Sequence, residues 1–100
     1  MNRKDAHRYL VAYDVPDDKR RTRLSKLLSS YGERMQFSVF LIDLTRASLM
    51  LLTDQLEELM DRDDDAILIC DLGTSREANQ HSIRYLGRQA KLPQPQSFIV

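Results

Sequence analysis

The run Tyr9-Leu10-Val11-Ala12-Tyr13-Asp14-Val15-Pro16 constrains the fold more than any other part of this chain. Residues 8–14 are apolar almost throughout, which predicts a strand buried on both faces. Its one carboxylate, Asp14, stands at the strand end, and Pro16, which lacks the ladder N–H, stops the strand. Asp17 or Asp18 caps the helix that follows, and that helix opens with Lys19, Arg20, Arg21 and Arg23. A helix N-terminus carries roughly half a positive charge, so cations there cost a few tenths of a kcal/mol. The crowding has two readings: a site that takes phosphate and metal, or a solvated first turn whose cations are offset by Asp17 and Asp18.

One hundred residues fit a single domain with a small core. Leu24, Leu27, Leu28 and Tyr31 recur at the spacing of an amphipathic helix, and Gly32 ends it in the C′ position. Arg34–Leu44 is rich in aromatic and β-branched residues and reads as strand. It is longer than the usual five or six residues or so, which suggests two strands with a bend near Ser38. Thr45 caps a second helix with Leu49, Leu52, Leu56 and Leu59 inward and Asp54, Glu57, Glu58 and Asp61 outward. Asp63-Asp64-Asp65 then reads as a solvated exit turn, Ala66–Leu72 as a buried strand ended by Gly73, 74–80 as a polar loop, and Ser82–Gly87 as a short edge strand.

The order strand, helix, split strand, helix, strand predicts an α+β fold, a ferredoxin-like βαββαβ sandwich with two helices on one face of an antiparallel sheet. The domain spans 1–100: a loose start over 1–7, a core over 8–87, and a linker and terminal strand over 88–100. Pro93 and Pro95 stiffen that linker, and Phe98-Ile99-Val100 is apolar enough to seek a sheet edge, either a neighbouring copy's or its own.

Several classes of function are excluded or disfavoured. No apolar run approaches the ~20 residues that span a bilayer, and Met1–Asp5 lacks the apolar core of a signal peptide, so a cytoplasmic protein with no membrane partner is expected. The lone Cys70 forms no internal disulfide and reads as a small buried hydrophobe. His7 and His81 are isolated, no Cys/His spacing fits zinc, and no phosphate loop is present. The net charge is zero, yet residues 1–50 carry ten Lys and Arg against six Asp and Glu, and residues 51–100 five against nine. Such polarity steers a polyanion toward one face. What remains is Asp14 with its cations. One carboxylate is a poor magnesium site, but a two-fold dimer brings two copies together, and Arg20, Arg21, Arg23 and Arg34 offer bidentate forks for phosphate.

Tyr13-Asp14-Val15, Asp17-Asp18 with the Arg-rich helix start, Leu27-Leu28 to Gly32, and Arg34-Met35-Gln36-Phe37-Ser38-Val39-Phe40 together resemble the CRISPR-associated protein 2 family over residues 8–100. The last stretch is similar to the family's Arg-hydrophobic-Gln-any-Ser-Val-Phe signature. Met35, where the family often has Val or Ile, is a mild departure, and the tail after Gly87 varies too widely to carry roles across. The resemblance implies a homodimer whose C-terminal strand crosses to the other subunit, with the two Asp14 residues holding Mg²⁺ or another divalent cation such as Mn²⁺. It implies nuclease roles for Arg21, Arg23, Arg34 and Phe40, with Tyr13 beside them, and nucleic-acid contacts from Lys19, Arg20, Arg21 and Arg23. The implied function is spacer acquisition: a metal-dependent endonuclease acting on single-stranded RNA or duplex DNA and a scaffold that bridges the adaptation integrase. The alternatives are a non-catalytic DNA-binding scaffold, a toxin-like ribonuclease of the related interferase group, and a generic regulatory dimer.

Overall fold

Strands and helices alternate as the sequence predicts through the first two thirds of the computed structural model, which describes residues 6–81, 83, 84, 86 and 87. The elements are β1 (His7–Asp14), α1 (Asp18–Ser29), β2 (Glu33–Gln36), β3 (Val39–Leu44), α2 (Arg46–Leu59), β4 (Ala66–Thr74) and α3 (Ser75–His81). The four strands form one antiparallel sheet in the order β2-β3-β1-β4, the ferredoxin-like arrangement. Residues 1–5 and 88–100, and with them the expected Pro93/Pro95 linker and the expected terminal strand, lie outside the described residues.

The core lies between the sheet and α1 and α2. Successive strand side chains point to opposite faces, so Tyr9, Val11 and Tyr13 of β1 and Phe40, Ile42 and Leu44 of β3 meet Leu24 and Leu28 of α1 and Leu52 and Leu56 of α2. Each such large side chain contributes about 1.5–3 kcal/mol on burial. Both predicted caps form: the Asp17 side chain accepts the Arg20 N–H, and the Thr45 hydroxyl accepts that of Ser48. The long aromatic strand does split, turning at Phe37-Ser38 between β2 and β3.

Five local expectations are corrected. The first strand is not buried on both faces. Leu10 and Ala12 are only half-buried and Asp14 is exposed, because both sandwich helices lie on the other side of the sheet. The fourth strand is not buried either. It is a sheet edge, with Leu68 57% exposed and Cys70 half-buried, and it runs past Gly73 to Thr74. Gly32 is not a left-handed helix stop, for α1 ends at a right-handed Ser30 cap. A side chain at Gly32 would instead strike the Leu41 carbonyl oxygen. The polar stretch after β4 is helix α3, whose first turn is closed by the Thr74 hydroxyl accepting the Glu77 N–H at 3.3 Å and whose Ala78 is buried. Among the described residues of 82–87, none is in a strand.

Candidate active site at the end of β1

Asp14 is the last residue of β1 and lies opposite Ala66 of β4 in the ladder. Val15 returns to the core at 4% exposure, which anchors the backbone immediately after it. The Asp14 carboxylate is exposed and makes no hydrogen bond or ion pair among the described residues. Strand alternation turns it away from α1 and α2, onto the face shared with Leu10, Ala12, Leu68 and Cys70, and with the buried Leu41 and Arg8. On that same face Arg8 and Asp43, cross-strand neighbours, form a buried two-point pair at 2.8 and 2.9 Å, which the sequence pattern does not foretell.

Tyr13 points the other way. Its ring stacks on Phe40 with centroids 6.3 Å apart and planes at 25°. Its backbone N–H donates to the Ser38 carbonyl at 3.1 Å, and its hydroxyl lies 3.5 Å from the Phe37 carbonyl, so β1 grips the β2–β3 turn. Arg34 is paired with Phe40 in the ladder. Its guanidinium carbon lies over the Phe40 ring at 5.3 Å and over the Phe37 ring at 5.7 Å, and its Nη2 donates to the Ser25 hydroxyl of α1. Both distances fall within the reach of a cation–π contact.

The structure therefore gathers Tyr13, Phe40 and Arg34 on the side of the sheet that packs against α1 and α2 and sets Asp14 on the opposite side. No hydrogen bond or ion pair joins Asp14 to an arginine among the described residues. Phe40 has no exposure, so it supports Arg34 from below and does not present its own ring to solvent. Phe37, 73% exposed beside that same guanidinium, was not singled out by the sequence analysis. Its position at the turn, where Gly, Asn or Asp is more usual, was the available signal.

The cations of α1 divide by partner. Arg21 donates to the Val15 carbonyl at 2.8 Å and pairs with Asp18, tying the strand end to the helix. Arg20 forms a bidentate pair with Asp65, whose side chain is fully buried and also accepts the Asp61 N–H at 2.8 Å. The acidic turn 63–65 is thus not wholly solvated. Asp65 is the counter-ion that the cation-rich helix start calls for, and the Arg20 guanidinium holds its carboxyl below the usual carboxylate range. The Arg20 N–H does the same for Asp17. Lys19 and Arg23 are exposed, and neither side chain forms an ion pair or hydrogen bond among the described residues, although the Lys19 N–H and charge also help to lower the Asp17 carboxyl.

A divalent metal fits only a composite of this site. Among the described residues no group of three His, Cys, Asp or Glu side chains converges. One chain offers a single hard oxygen donor at Asp14, a type suited to Mg²⁺ or Mn²⁺. Its exposed placement at the end of β1, on the sheet face opposite α1 and α2, is one at which a second copy could complete the set.

The sheet order and the two-helix layer define a ferredoxin-like domain, here with an exposed carboxylate and a cation-rich helix start at the end of the first strand. The family model for CRISPR associated protein Cas2 matches residues 7–80, and the chain belongs to that family. It is 47% identical over 60 residues to the CRISPR-associated endoribonuclease Cas2 of Thermus thermophilus, covering 60% of this chain and 64% of that protein. The chain thus spans just under two thirds of that relative's length. The crystal structure of Streptococcus pyogenes Cas2 matches with a TM-score of 0.71 and 32% identity, covering 80% of this chain and 99% of that one. A chain of a partial Cas6-RT-Cas1–Cas2 complex matches with a TM-score of 0.64 and 28% identity, covering 78% of this chain and 89% of that one. Among the described residues no helix is long and apolar enough to cross a membrane.

Proposed function

We propose that this protein acts in the adaptation stage of CRISPR immunity as a cytoplasmic homodimer, cutting phosphodiester bonds with a divalent metal and bridging the adaptation integrase on duplex DNA. The observation that carries the reading is the exposed Asp14, without an ion pair among the described residues, at the end of β1 on the sheet face opposite α1 and α2, where Leu10 and Cys70 are half-buried and Leu68 is exposed. Packing two such faces together buries Leu10, Leu68 and Cys70 and draws two Asp14 carboxylates toward one axis. That pair would hold Mg²⁺ or Mn²⁺, which when bound polarises the phosphate and activates a water. The chain's own residues do the rest. Lys19 and Arg23 take phosphate oxygens, Arg21 fixes the strand end against α1, and Arg34, braced by Phe40 and Ser25, offsets charge on the phosphate. Support for the activity comes from the relative named an endoribonuclease, and for the integrase partner from the Cas1–Cas2 complex.

A second reading, a non-catalytic scaffold, is favoured by the separation of Asp14 from Arg34 and by the internal partners of Arg20 and Arg21. Incubating the protein with single-stranded RNA and with duplex DNA, in Mg²⁺ and in EDTA, separates the two. The nuclease reading expects cleavage of at least one substrate in Mg²⁺ only. Binding without cleavage under either condition leaves the scaffold.

A further inference from the structure

The β2–β3 turn carries an aromatic residue with no role in the reading above. Phe37 is 73% exposed at the tip of a hairpin. An aromatic so exposed gains almost nothing from the hydrophobic effect, because that contribution scales with area removed from water. Yet the turn beneath it is held firmly: Tyr13 donates its N–H to the Ser38 carbonyl at 3.1 Å. Arg34 stands over the Phe37 ring at 5.7 Å and over the buried Phe40 ring at 5.3 Å, with Nη2 bonded to Ser25. Tyr13, Phe40, Arg34 and Phe37 form a continuous ladder of flat groups that begins in the core and ends in solvent.

We infer that Phe37 is a stacking platform for an unpaired nucleobase, with Arg34 beside it to meet the adjoining phosphate. The inference rests on the proposed nucleic-acid function and adds to it a preference for single-stranded segments. An aromatic face next to a fixed cation is the pairing that single-strand binding uses: the ring accepts any base face, and the guanidinium meets the backbone. In a duplex both faces of an internal base are already stacked, so the platform has nothing to hold. A braced aromatic also loses little conformational freedom when a base lands on it, which favours binding.

The test uses the full-length protein and three probes of equal length: a single-stranded oligonucleotide, its abasic counterpart and the matching duplex. Phe37→Ala should weaken the base-bearing single strand about 10- to 100-fold and change the abasic strand and the duplex less than about twofold. Phe37→Trp should retain affinity. Because the chain has no tryptophan, this variant adds a sole indole whose fluorescence should be quenched by the base-bearing strand and not by the abasic one. Equal losses on all three probes, or none on any, would overturn the platform while leaving nucleic-acid binding itself intact. Loss of the dimer in Phe37→Ala, seen by sedimentation, would also overturn it, assigning Phe37 to a contact between copies. Wild-type protein that binds none of the probes would remove the proposed function along with the platform.

Discussion

Arg20 and Asp65, 45 residues apart in the chain, meet in a two-point ion pair, with Nε donating to Oδ2 at 2.8 Å and Nη2 to Oδ1 at 3.0 Å. The pair fastens the first turn of α1 to the loop before β4. It also reconciles the two readings of the cation-rich helix start, since Arg20 and Arg21 form ion pairs with carboxylates and the Lys19 and Arg23 side chains form none among the described residues. Arg20→Ala should therefore lower the melting temperature, whereas Arg23→Ala should stay within the ~0.5 kcal/mol typical of surface changes. Thermal denaturation of both variants at one protein concentration checks this. Equal melting temperatures would mean that the pair adds nothing.

Salt dependence separates the same residues by a different readout. Neutralising Lys19 or Arg23 should flatten the plot of log affinity against log salt by roughly 0.9 for each phosphate no longer neutralised on duplex DNA, or about 0.7 on a single strand. Arg20→Ala should leave the slope unchanged once folding is restored by working well below the melting temperature. A flattened slope for Arg20 and none for Lys19 or Arg23 would reverse the assignment.

Acid sensitivity follows from the carboxyls. Asp65, paired with Arg20, and Asp17, bonded to the Arg20 N–H, both titrate below the ordinary carboxylate range when folded. Asp71, bonded to His7 and to the Gly73 N–H, does likewise. The unfolded chain takes up these protons first, so their stabilisation is fully present above the unfolded value of about 4 and is lost as pH falls through the lower folded values. Melting temperature should decline below about pH 4, and less steeply in Asp65→Asn. A variant slope as steep as wild type would show that Asp65 is not a source of the acid sensitivity.

Gly32 supplies a packing test. A methyl group there would run into the Leu41 carbonyl oxygen and lie 2.7 Å from Ile42 Cγ1. A backbone carbonyl in a ladder cannot turn aside as a flexible side chain can. Gly32→Ala should cost about 1–3 kcal/mol or more, measured by urea denaturation with the slope m unchanged. A neutral result would mean that the β2–β3 hairpin moves outward freely.

Where the hydrophobic period was unbroken, the chain was readable. The apolar run of β1, the leucine stripes of α1 and α2, and the caps at Asp17 and Thr45 each follow from one local rule, and together they place Asp14 at a strand end. What was not legible depends on contacts distant in sequence. Whether β1 and β4 were covered on their second face turned on where both sandwich helices settled, and the apolar residues of β4 look alike buried or exposed. Asp65 belonged to an acidic run and was singled out only by Arg20, 45 residues away. Gly32 has the composition of a helix stop, yet its need for glycine comes from the neighbouring strand. Helix α3 was hidden by its polarity, since its sole apolar residue is the buried Ala78. The family resemblance groups Tyr13 with Asp14, although strand geometry sends the two side chains to opposite faces.

The claim on which the account turns is that Asp14 is one half of a metal site. Cleavage of single-stranded RNA and of duplex DNA by wild-type protein and by Asp14→Asn, at matched Mg²⁺ and matched dimer concentration, tests it most directly. Asp14→Asn should keep the fold and the dimer, because removing two facing carboxylate charges relieves repulsion, and should lose about a hundredfold or more of the Mg²⁺-dependent rate. An Asp14→Asn protein that cuts as fast as wild type, with the same dependence on Mg²⁺, would contradict it.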